Sequence, residues 1–537
     1  METTQLRERV GRVPIYPWAL ASYPMLQLLA HNIFEVEPLD AVRPLLLSLA
    51  GATLMFFLLT ALFGNKNVAA LVLGTVLILF FSYGHLYQYL KENPVAGFII
   101  GRHRYLVTAY VVALISGIWI AIRNAFKVSS ATPWLNILAI GLLVAPVIQI
   151  SDHFLGLRTA SRVTSVAADS LAESVKSPAK ELRDIYYIVL DTYMRGDALK
   201  QDMRYDNSEF LQALEELGFY IADCSRSNYG ETILSLTSSL NMDYIPKLHA
   251  RLADRGLGPD NLFVLLRLNS VRSELETWGY KTVAFQTAFE WADWRDADFY
   301  LFAGRTSLDL RRFSPLEVLF IETTAAKVLL DGQYILAITG PDEVNFRFGA
   351  HVEHQRNILD QLPTISSITD PTFTFAHILI PHSPYVFGPD GQLRTDPGFY
   401  SGDHSGPVNE DYLRRGYTGQ VAFVNDRILE IVEVIISDSK PQPIIVIQGD
   451  HGLRNENRIQ ILNAYYFPGE AKKRLYSDIS PVNTFRILLD EYFGTDLGLL
   501  PDRSYGPGDN INEIADTSPI CNPDVTSGSI QDRPETP

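Results

Sequence analysis

The stretch "IYYIVLDTYMRGD" at residues 185–197 joins an unbroken apolar and aromatic run to an aspartate, Asp191. A second stretch, "PIIVIQGDHG" at 443–452, has the same form and leads into Asp450 and His451. Such runs, without apolar–polar alternation, are typical of strands buried on both faces of a parallel sheet. Ligands bind such sheets at the carboxyl ends of the strands. One carboxylate from each strand and an imidazole therefore form a candidate site for a divalent cation.

Further short β-rich runs occur at 218–222, 281–285 and 373–380, and segments with helical periodicity lie at 208–218 and 421–437. Strands that alternate with helices indicate an α/β fold with a mostly parallel central sheet. We therefore expect one α/β domain in the second part of the chain.

Each aspartate motif also has a purely structural interpretation. Asp191 at a strand end can be a turn residue that bonds its own backbone, and spacing alone does not separate this role from metal binding. The dipeptide Asp-His occurs three times, at 152–153, 403–404 and 450–451. Only the third pair follows a predicted buried strand and is flanked by glycines, which permit a close approach of the backbone.

Two histidines lie in "HILIPHSPYVFGPDG" at 377–391. His377 falls inside the predicted strand, which favours packing in the sheet over catalysis. His382 follows in a proline-rich loop and is expected to point into the cleft, with a surface histidine as the alternative.

The run "NYGETILSLTSSLN" at 228–241 is rich in hydroxyl side chains. It is either a Ser/Thr-rich turn that leads into a half-buried helix, or the source of a nucleophile. On a helix, Thr232, Ser235 and Ser239 share one face, and we expect the two serines to face solvent or the cleft.

The first part of the chain is strongly apolar. Four nearly uncharged segments have the length of a bilayer core and predict membrane helices. An aromatic-rich segment broken by two prolines is expected to be a fifth span. The five segments are 13–33, 41–63, 67–90, 104–122 and 131–151.

The charge distribution bears on orientation and partners. Residues 1–157 carry ten Lys/Arg and seven Asp/Glu, so within the net charge of −16 the remaining residues hold −19, which argues against a nucleic-acid partner. No cleavable signal peptide is expected. Five spans and the basic residues Arg7, Arg9 and Arg12 favour a cytoplasmic N-terminus, which places the C-terminal domain outside the cell membrane. Against this, three basic residues would then lie on the outer side: Lys91, Arg102 and Arg104.

We expect a transmembrane domain at 1–157, an Ala/Ser-rich juxtamembrane linker at 158–182, a catalytic domain at 183–505 and a flexible tail at 506–537. The two cysteines lie far apart in the chain and imply no disulfide framework. They are Cys224 and Cys521.

The order of these motifs resembles the alkaline phosphatase/sulfatase superfamily in its membrane-anchored branch. That family has an acidic residue after the first strand, a Thr or Ser at a helix start, an "HSP"-like histidine and then "DHG". Here these are Asp191, Thr232, His382, Asp450 and His451. Membrane spans before such a domain look like lipoteichoic acid synthase and the lipid A phosphoethanolamine transferases.

The resemblance implies an alkaline-phosphatase-like sandwich and one divalent metal ion: manganese, zinc, magnesium or calcium. It makes Thr232 the nucleophile and a metal ligand, with Asp191, Asp450 and His451 as the other ligands. His382 would contact the substrate or assist the leaving group. The cation would lower the pKa of the threonine hydroxyl, and the helix start would face a phosphoryl oxygen with its amide groups.

Two departures narrow this chemistry. Sulfatases mature a residue in a C/S-x-P-x-R motif, and neither "CSRSN" at Cys224 nor "TILSL" at Thr232 fits it. No histidine follows His451, so a single-metal site is favoured unless His404 or His382 is recruited. Two arginines are candidates for phosphate contact, with a surface role as the alternative: Arg454 and Arg458.

The leading hypothesis is a membrane-embedded, metal-dependent phosphotransferase or phosphodiesterase. It would act on a phospholipid or on lipid-linked or glycan-linked phosphate at the outer face, through a phospho-threonine. One alternative is a sulfatase-like hydrolase of phosphate or sulfate esters, and another is a non-catalytic, membrane-tethered binding module. A transporter is disfavoured because the spans contain few ionisable residues, with His31 and His85 as the main exceptions. The cluster "FEWADWRDADFY" at 289–300 is either a cleft lining or a loop anchored by tryptophans.

Overall fold

The chain forms two compact units. The computed structural model describes residues 13–33, 36–93, 100–171, 182–287, 289–302, 313–331, 348–394, 410–453, 458–506, 513 and 521. The first unit consists of Met1–Leu155 with Arg305–Ala350, and the second of Gly156–Gly304 with His351–Pro537. The domain predicted at 183–505 therefore differs from the second unit, because Arg305–Ala350 belongs to the first.

Five helices begin the chain. They are α1 (Tyr16–His31), α2 (Val42–Phe63), α3 (Lys66–Glu92), α4 (His103–Arg123) and α5 (Ala125–Leu171). Among the described residues, four helical stretches are long and apolar enough to cross a membrane: Pro38–Phe63, Lys66–Lys91, His103–Arg123 and Val128–Leu155. The four charge-poor spans predicted from the sequence are thus confirmed as helices.

The predicted fifth span is a shorter helix. Helix α1 has 16 residues and contains Pro24. At about 1.5 Å per residue it is roughly 24 Å long, less than the ~30 Å of a hydrocarbon core. That residues 13–33 cross the bilayer completely therefore stays a prediction.

Burial differs among the four long spans in a way that follows from their neighbours. The hydrophobic window of Lys66–Lys91 is 50% buried within the protein, whereas those of Pro38–Phe63 and His103–Arg123 are 6% and 11% buried. Helix α3 packs against α1, α2 and α4, which makes it the central helix. The exposed apolar faces of α2 and α4 are the surfaces expected to meet lipid.

Two short helices of the segment Arg305–Ala350 complete the first unit: α11 (Pro315–Thr323) and α12 (Lys327–Asp331). Ser314 and Glu317 form a capping box at the start of α11. Glu317 also pairs with Arg43, at the start of α2. Leu316 is fully buried against Met25 of α1. These contacts explain why this segment joins the membrane helices, although it lies between strands of the second unit in the sequence.

The second unit is built on one sheet of seven strands in the order β2-β7-β6-β1-β5-β3-β4. The strands are β1 (Ile185–Leu190), β2 (Tyr220–Ile221), β3 (Lys281–Phe285), β4 (Phe299–Leu301), β5 (Thr372–Ile378), β6 (Ile444–Gly449) and β7 (Asn463–Tyr466). The five strands from β6 to β4 in this order are parallel. Strand β7 is antiparallel to both of its neighbours, β6 and β2, so it alone runs against the other strands of this sheet. The predicted mostly parallel sheet is confirmed, while β4 and β7, both very short, lay outside the predicted strands.

The register of the three central strands positions the site. Leu190 of β1 lies opposite Ile378 of β5 and Gly449 of β6. These strands therefore end at the same level, and the next residues, Asp191 and Asp450, meet at one edge of the sheet. Every residue of β1 is buried, as expected of a strand covered on both faces.

Eight further helices flank the sheet: α6 (Ser208–Glu216), α7 (Thr232–Asn241), α8 (Ile245–Asp254), α9 (Leu262–Arg267), α10 (Ser270–Thr277), α13 (Gly349–Gln361), α14 (Glu410–Asp438) and α15 (Pro481–Phe493). Leu236 of α7 and Phe485 of α15 pack in one core with Tyr187 and Phe375 of the central strands. The apolar side chains of α7, such as Leu236, therefore hold this helix against the sheet.

The aromatic and acidic cluster at 289–300 is anchored in the core. Trp294 is fully buried, and its ring stacks on that of Phe375 with centroids 4.5 Å apart. Asp293 is also buried and accepts hydrogen bonds from the backbone amide (2.6 Å) and the hydroxyl (2.8 Å) of Thr287. Burial raises the pKa of Asp293 to about 6. Of the two interpretations of this cluster, the anchored loop is thus the one that Trp294 supports.

The two cysteines form a disulfide, contrary to the sequence-based expectation. Cys224 and Cys521 are bonded, with their Cα atoms 5.4 Å apart across a sequence separation of 297 residues. The expectation was wrong because separation along the chain does not limit proximity in the folded state. The bond ties the predicted tail to the domain at Cys521. Apart from 506, 513 and 521, that tail lies outside the described residues.

Replacing Cys521 with serine is expected to lower the free energy of unfolding by about 2–4 kcal/mol, because the disulfide constrains the unfolded chain. The measurement is thermal or denaturant unfolding of the purified protein. Reductant should lower the stability of the wild-type protein to that of the variant and leave the variant unchanged. Equal stability of the oxidised wild-type protein and the variant would contradict the prediction.

Candidate active site

Three buried side chains converge at the carboxyl ends of the central strands. Asp191 follows β1, Asp450 follows β6, and His377 lies one residue before the end of β5. One ligand atom from each lies within 4.8 Å of the others, and Oδ2 of Asp191 is 3.2 Å from Nε2 of His377. All three residues are at most 3% exposed. His377 was expected to be a packing residue, and the structure places it in the site instead.

Backbone hydrogen bonds orient Asp450. Its Oδ1 accepts from the amides of Thr192 and His451, both at 2.8 Å. Its Oδ2 is therefore turned toward the other two side chains. Thr192 itself has a φ of 61°, a left-handed conformation that is unusual for a β-branched residue. Tyr417 holds it by donating a hydrogen bond to its carbonyl oxygen at 2.7 Å. Strained residues of this kind concentrate at functional sites.

The buried polar atoms of this group fit a cation. Among the described residues, Oδ1 of Asp191, Oδ2 of Asp450 and Nδ1 of His377 are buried without a hydrogen-bond partner. Buried carboxylate oxygens without partners are costly, because they lose their hydration. Two carboxylates and an imidazole are ligands that divalent metals accept. The donor set is thus compatible with the predicted metal.

The histidines around Asp191 keep it ionised. Burial by itself raises the pKa of this carboxyl group, but His382, His377 and His451 outweigh the burial. The pKa of Asp191 is therefore held below its usual value. A carboxylate that stays charged while buried is suited to binding a cation.

Thr232, the candidate nucleophile, is the first residue of α7. Its hydroxyl oxygen lies 3.2 Å from Nε2 of His451, and Nε2 lies 3.6 Å from Oδ2 of Asp450. Nδ1 of His451 is 2.8 Å from the carbonyl oxygen of Gly452, which can only accept a hydrogen bond. Nδ1 therefore carries the proton, and the lone pair of Nε2 faces the hydroxyl of Thr232.

The start of α7 is also suited to an anion. The helix has ten residues. The side chain of Glu231, the residue before it, does not cap the first amides of the helix. The first-turn amides of a helix lack intrahelical partners and lie at the positive end of its dipole. Thr232 thus stands where a phosphoryl group would be stabilised.

The two later serines of α7 are buried and bonded. Ser235 donates to the carbonyl oxygen of Asp450 at 2.7 Å, and Ser239 donates to that of Pro481 at 3.3 Å. Both are at most 1% exposed. The expectation that they face solvent or the cleft was wrong, because this face of α7 packs against the core. Ser235 joins the helix of the candidate nucleophile directly to the candidate metal ligand.

Replacing Ser235 with alanine is expected to cost about 1–2 kcal/mol of stability, because the carbonyl of Asp450 loses its buried donor. We also expect a lower kcat, since the bond sets the distance between α7 and Asp450. Ser238→Ala is the matched control: Ser238 is equally buried on α7 but donates to Asp243 at 2.8 Å. It should lose similar stability and keep its turnover. Equal turnover in the two variants would contradict the role of Ser235.

His382 is close enough to Asp191 to lower the pKa of its carboxyl group; that it points into the cleft stays a prediction. It is half-buried, and its backbone carbonyl accepts a hydrogen bond from Gln420 at 2.9 Å. Its Nδ1 is 2.5 Å from the carbonyl oxygen of Ser383. Its charge is the largest of the histidine effects on the pKa of Asp191.

Sequence reasoning missed His351 of α13. Burial lowers the pKa of His351 to about 3, assisted by its neighbours His354 and His382. A neutral imidazole therefore lies near Asp191, although the two residues are far apart along the chain. The spacing of "HVEH" at 351–354 on one face of a helix was the only local signal.

Of the two candidate arginines, only Arg458 lies in the described part of the chain. Nε of Arg458 donates to the carbonyl of Gly230, two residues before Thr232, which places Arg458 at the start of α7. Arg454 and His404 lie outside the described residues.

No protein-family model matches the chain, and no curated protein matches it. Among solved structures, the C-terminal periplasmic domain of EcEptC from Escherichia coli, in a complex with Zn, is 14% identical with a TM-score of 0.41. That match covers 64% of this chain and 96% of that chain. The lipooligosaccharide phosphoethanolamine transferase A (EptA) from Neisseria meningitidis is 11% identical with a TM-score of 0.36, over 89% of this chain and 95% of that chain.

A third structure is the sulfatase-like protein yidJ from Bacteroides fragilis. It is 13% identical with a TM-score of 0.35, over 59% of this chain and 75% of that chain.

Proposed function

We propose that the chain is a member of the alkaline phosphatase/sulfatase superfamily and a membrane-embedded, metal-dependent phosphotransferase. Its substrate is a phospholipid or a lipid-linked or glycan-linked phosphate, and its intermediate is a phospho-threonine on Thr232. One observation carries this proposal: the hydroxyl of Thr232 lies 3.2 Å from Nε2 of His451, beside the buried Asp191 and Asp450.

The cation would be held by Asp191, Asp450 and His451, with Thr232 as the fourth ligand. When bound, it lowers the pKa of the threonine hydroxyl and neutralises charge on the phosphoryl group. His377, with Nε2 3.2 Å from Oδ2 of Asp191, would orient that carboxylate. A mixed set of carboxylates and imidazole favours zinc or manganese over calcium.

The chain's own residues account for the transfer. Thr232 Oγ1, after release of its proton to water, forms a bond to phosphorus while the bond from phosphorus to the leaving oxygen breaks. His382 in its imidazolium form donates a proton to that oxygen. The amides at the start of α7 bind a phosphoryl oxygen during the step. In the second step the oxygen of an acceptor alcohol forms a bond to phosphorus as its proton passes to the now neutral imidazole of His382. The bond from phosphorus to Thr232 Oγ1 breaks, and Oγ1 regains a proton from water; if water attacks instead of the alcohol, the reaction is hydrolysis.

The location follows from the membrane helices and the disulfide. Four spans keep the second unit at the membrane, where lipid-linked substrates lie. The bond between Cys224 and Cys521 is of a kind that persists in oxidising compartments and is rare in the cytosol. The disulfide supports a catalytic domain on the outer side of the cell membrane. With a cytoplasmic N-terminus, that placement also requires residues 13–33 to cross the bilayer as the fifth span.

The test is intact-mass and peptide analysis of the purified full-length protein after incubation with manganese or zinc and a candidate phospholipid. We expect a phosphoryl or headgroup adduct on the peptide that contains Thr232. An adduct on Ser235 or Ser239 would overturn the assignment of the nucleophile. Bound metal without any adduct or turnover would favour the non-catalytic binding module.

A further inference from the structure

The membrane helices of the first unit enclose a cavity of about 670 Å³ that the proposed reaction does not use. Its walls come from α1, α3 and α5, with Thr323 of α11 at one end. On α3 the lining extends from Leu71 to His85, a length of about 21 Å at 1.5 Å per residue. The cavity is therefore a slot that extends along roughly two-thirds of a ~30 Å hydrocarbon core.

The two ends of this slot differ chemically. Helices α1 and α3 run in the same direction, because short connections reverse the chain before and after α2. Near their starts the lining is mainly apolar, with Leu20, Leu71 and Leu135, although Tyr16 and Thr75 also line it. Near their ends, polar side chains join the lining beside Leu28 and Phe81: Gln27, His31, Ser82, His85 and Thr323.

The polar end is chemically suited to a group that accepts hydrogen bonds, such as phosphate. Imidazole, amide and hydroxyl groups all donate hydrogen bonds. Among the described lining residues of the cavity there is no carboxylate that would repel an anion. Histidines within membrane spans are rare, costly and usually functional. His85 lies in the span Lys66–Lys91, His31 ends α1, and neither has a part in the reaction proposed above.

We infer that this slot binds a membrane lipid. Its hydrocarbon chain lies between α1, α3 and α5, and its phosphate lies at His31 and His85. Lipid hydrocarbon is the medium around these helices, and a slot with one apolar and one polar end matches a molecule with the same division. The cavity volume falls within the range of roughly 300–1,000 Å³ of small-molecule sites. The inference rests on the first unit alone and does not require the reaction at Thr232.

The test uses the full-length protein carrying Thr232→Ala, so that no lipid is consumed. The protein is reconstituted in phosphatidylcholine vesicles with a phosphatidylglycerol that carries a photoreactive group on one acyl chain. We expect crosslinks on the cavity-lining residues of α3. Leu138→Trp and Ile78→Trp place a bulky ring in the slot from two different helices, and each should reduce this labelling about tenfold.

Ile137→Trp is the matched control. Ile137 is 63% exposed and Leu138 is 65% exposed, yet only Leu138 lines the cavity. The control should label like the parent protein. Labelling that survives in both slot variants, or that falls equally in the control, would overturn the site. The two slot variants alter different helices. If one of them fails to fold, the other still provides the test.

The phosphate is tested separately with a diacylglycerol that carries the same photoreactive chain. The parent protein should prefer the phosphate-bearing probe by about tenfold, and a His31→Ala/His85→Ala variant should lose that preference. Equal labelling of the parent protein by the two probes would overturn the assignment of the polar end. Because every arm measures binding, its outcome is independent of whether the transfer reaction occurs.

Discussion

Thr232→Ala is expected to abolish turnover, with kcat falling by roughly three to six orders of magnitude, as for the loss of other enzyme nucleophiles. No other hydroxyl of α7 can take its place. Ser235 and Ser239 are buried and donate to Asp450 and Pro481, so neither is available to a substrate. The measurement is headgroup or phosphate release from a phospholipid in detergent micelles, with metal content determined in parallel.

The control for this prediction is Thr232→Ser, which keeps the hydroxyl at the same position. It should retain measurable turnover and form the adduct on the serine. Thr232→Ala should unfold at the temperature of the parent protein, because Thr232 is only partly buried and makes one side-chain bond. Turnover by a folded Thr232→Ala variant at the parental rate would refute the covalent mechanism.

Asp450→Asn is expected to lower the affinity for the metal by about 100-fold, the upper end of what changes around metal sites cause, and turnover with it. Asp450 Oδ2 is the oxygen that faces both His451 at 3.6 Å and the buried carboxylate of Asp191. Asparagine retains the acceptor for the amides of Thr192 and His451 but has no charge for the cation. The readout is metal per protein after dialysis, which does not depend on activity.

The matched control is Asp243→Asn, at a buried aspartate just beyond the other end of α7. It should keep its metal. Two histidine variants then separate the ligand sets. We expect His451→Ala to lose more metal than His377→Ala, because in the proposed arrangement His451 is a metal ligand whereas His377 only orients Asp191. The reverse order would assign the cation to Asp191, His377 and Asp450, and unchanged metal in Asp450→Asn would exclude this site altogether.

The local sequence was sufficient wherever one strand or helix determines the outcome. The runs at 185–190 and 281–285 are strands with the predicted limits. Both faces of such strands are covered, so neither set of alternating side chains has to be polar. The four long apolar segments are helices, since hydrocarbon accepts no unpaired backbone groups. Thr232 was placed at a helix start, and it is the first residue of α7.

The predictions failed where the outcome depends on a distant neighbour. The disulfide of Cys224 and Cys521 joins residues 297 positions apart. The burial of Ser235 depends on a carbonyl 215 residues away. The segment Arg305–Ala350 belongs to the first unit because residues such as Leu316 pack on α1. None of these partners can be identified from the residues that flank each position.

The sequence by itself determined the mostly parallel sheet, the membrane helices and the order Asp191, Thr232, His382, Asp450 and His451. Local preference and burial pattern act over a few residues, so they can be recognised in the chain. Tertiary structure alone decided that His377 joins the two carboxylates, because this follows from the level at which β1, β5 and β6 end. It also placed Nε2 of His451 beside the hydroxyl of Thr232. The carbonyl of Gly452 fixes the proton on Nδ1, so the lone pair of Nε2 faces that hydroxyl.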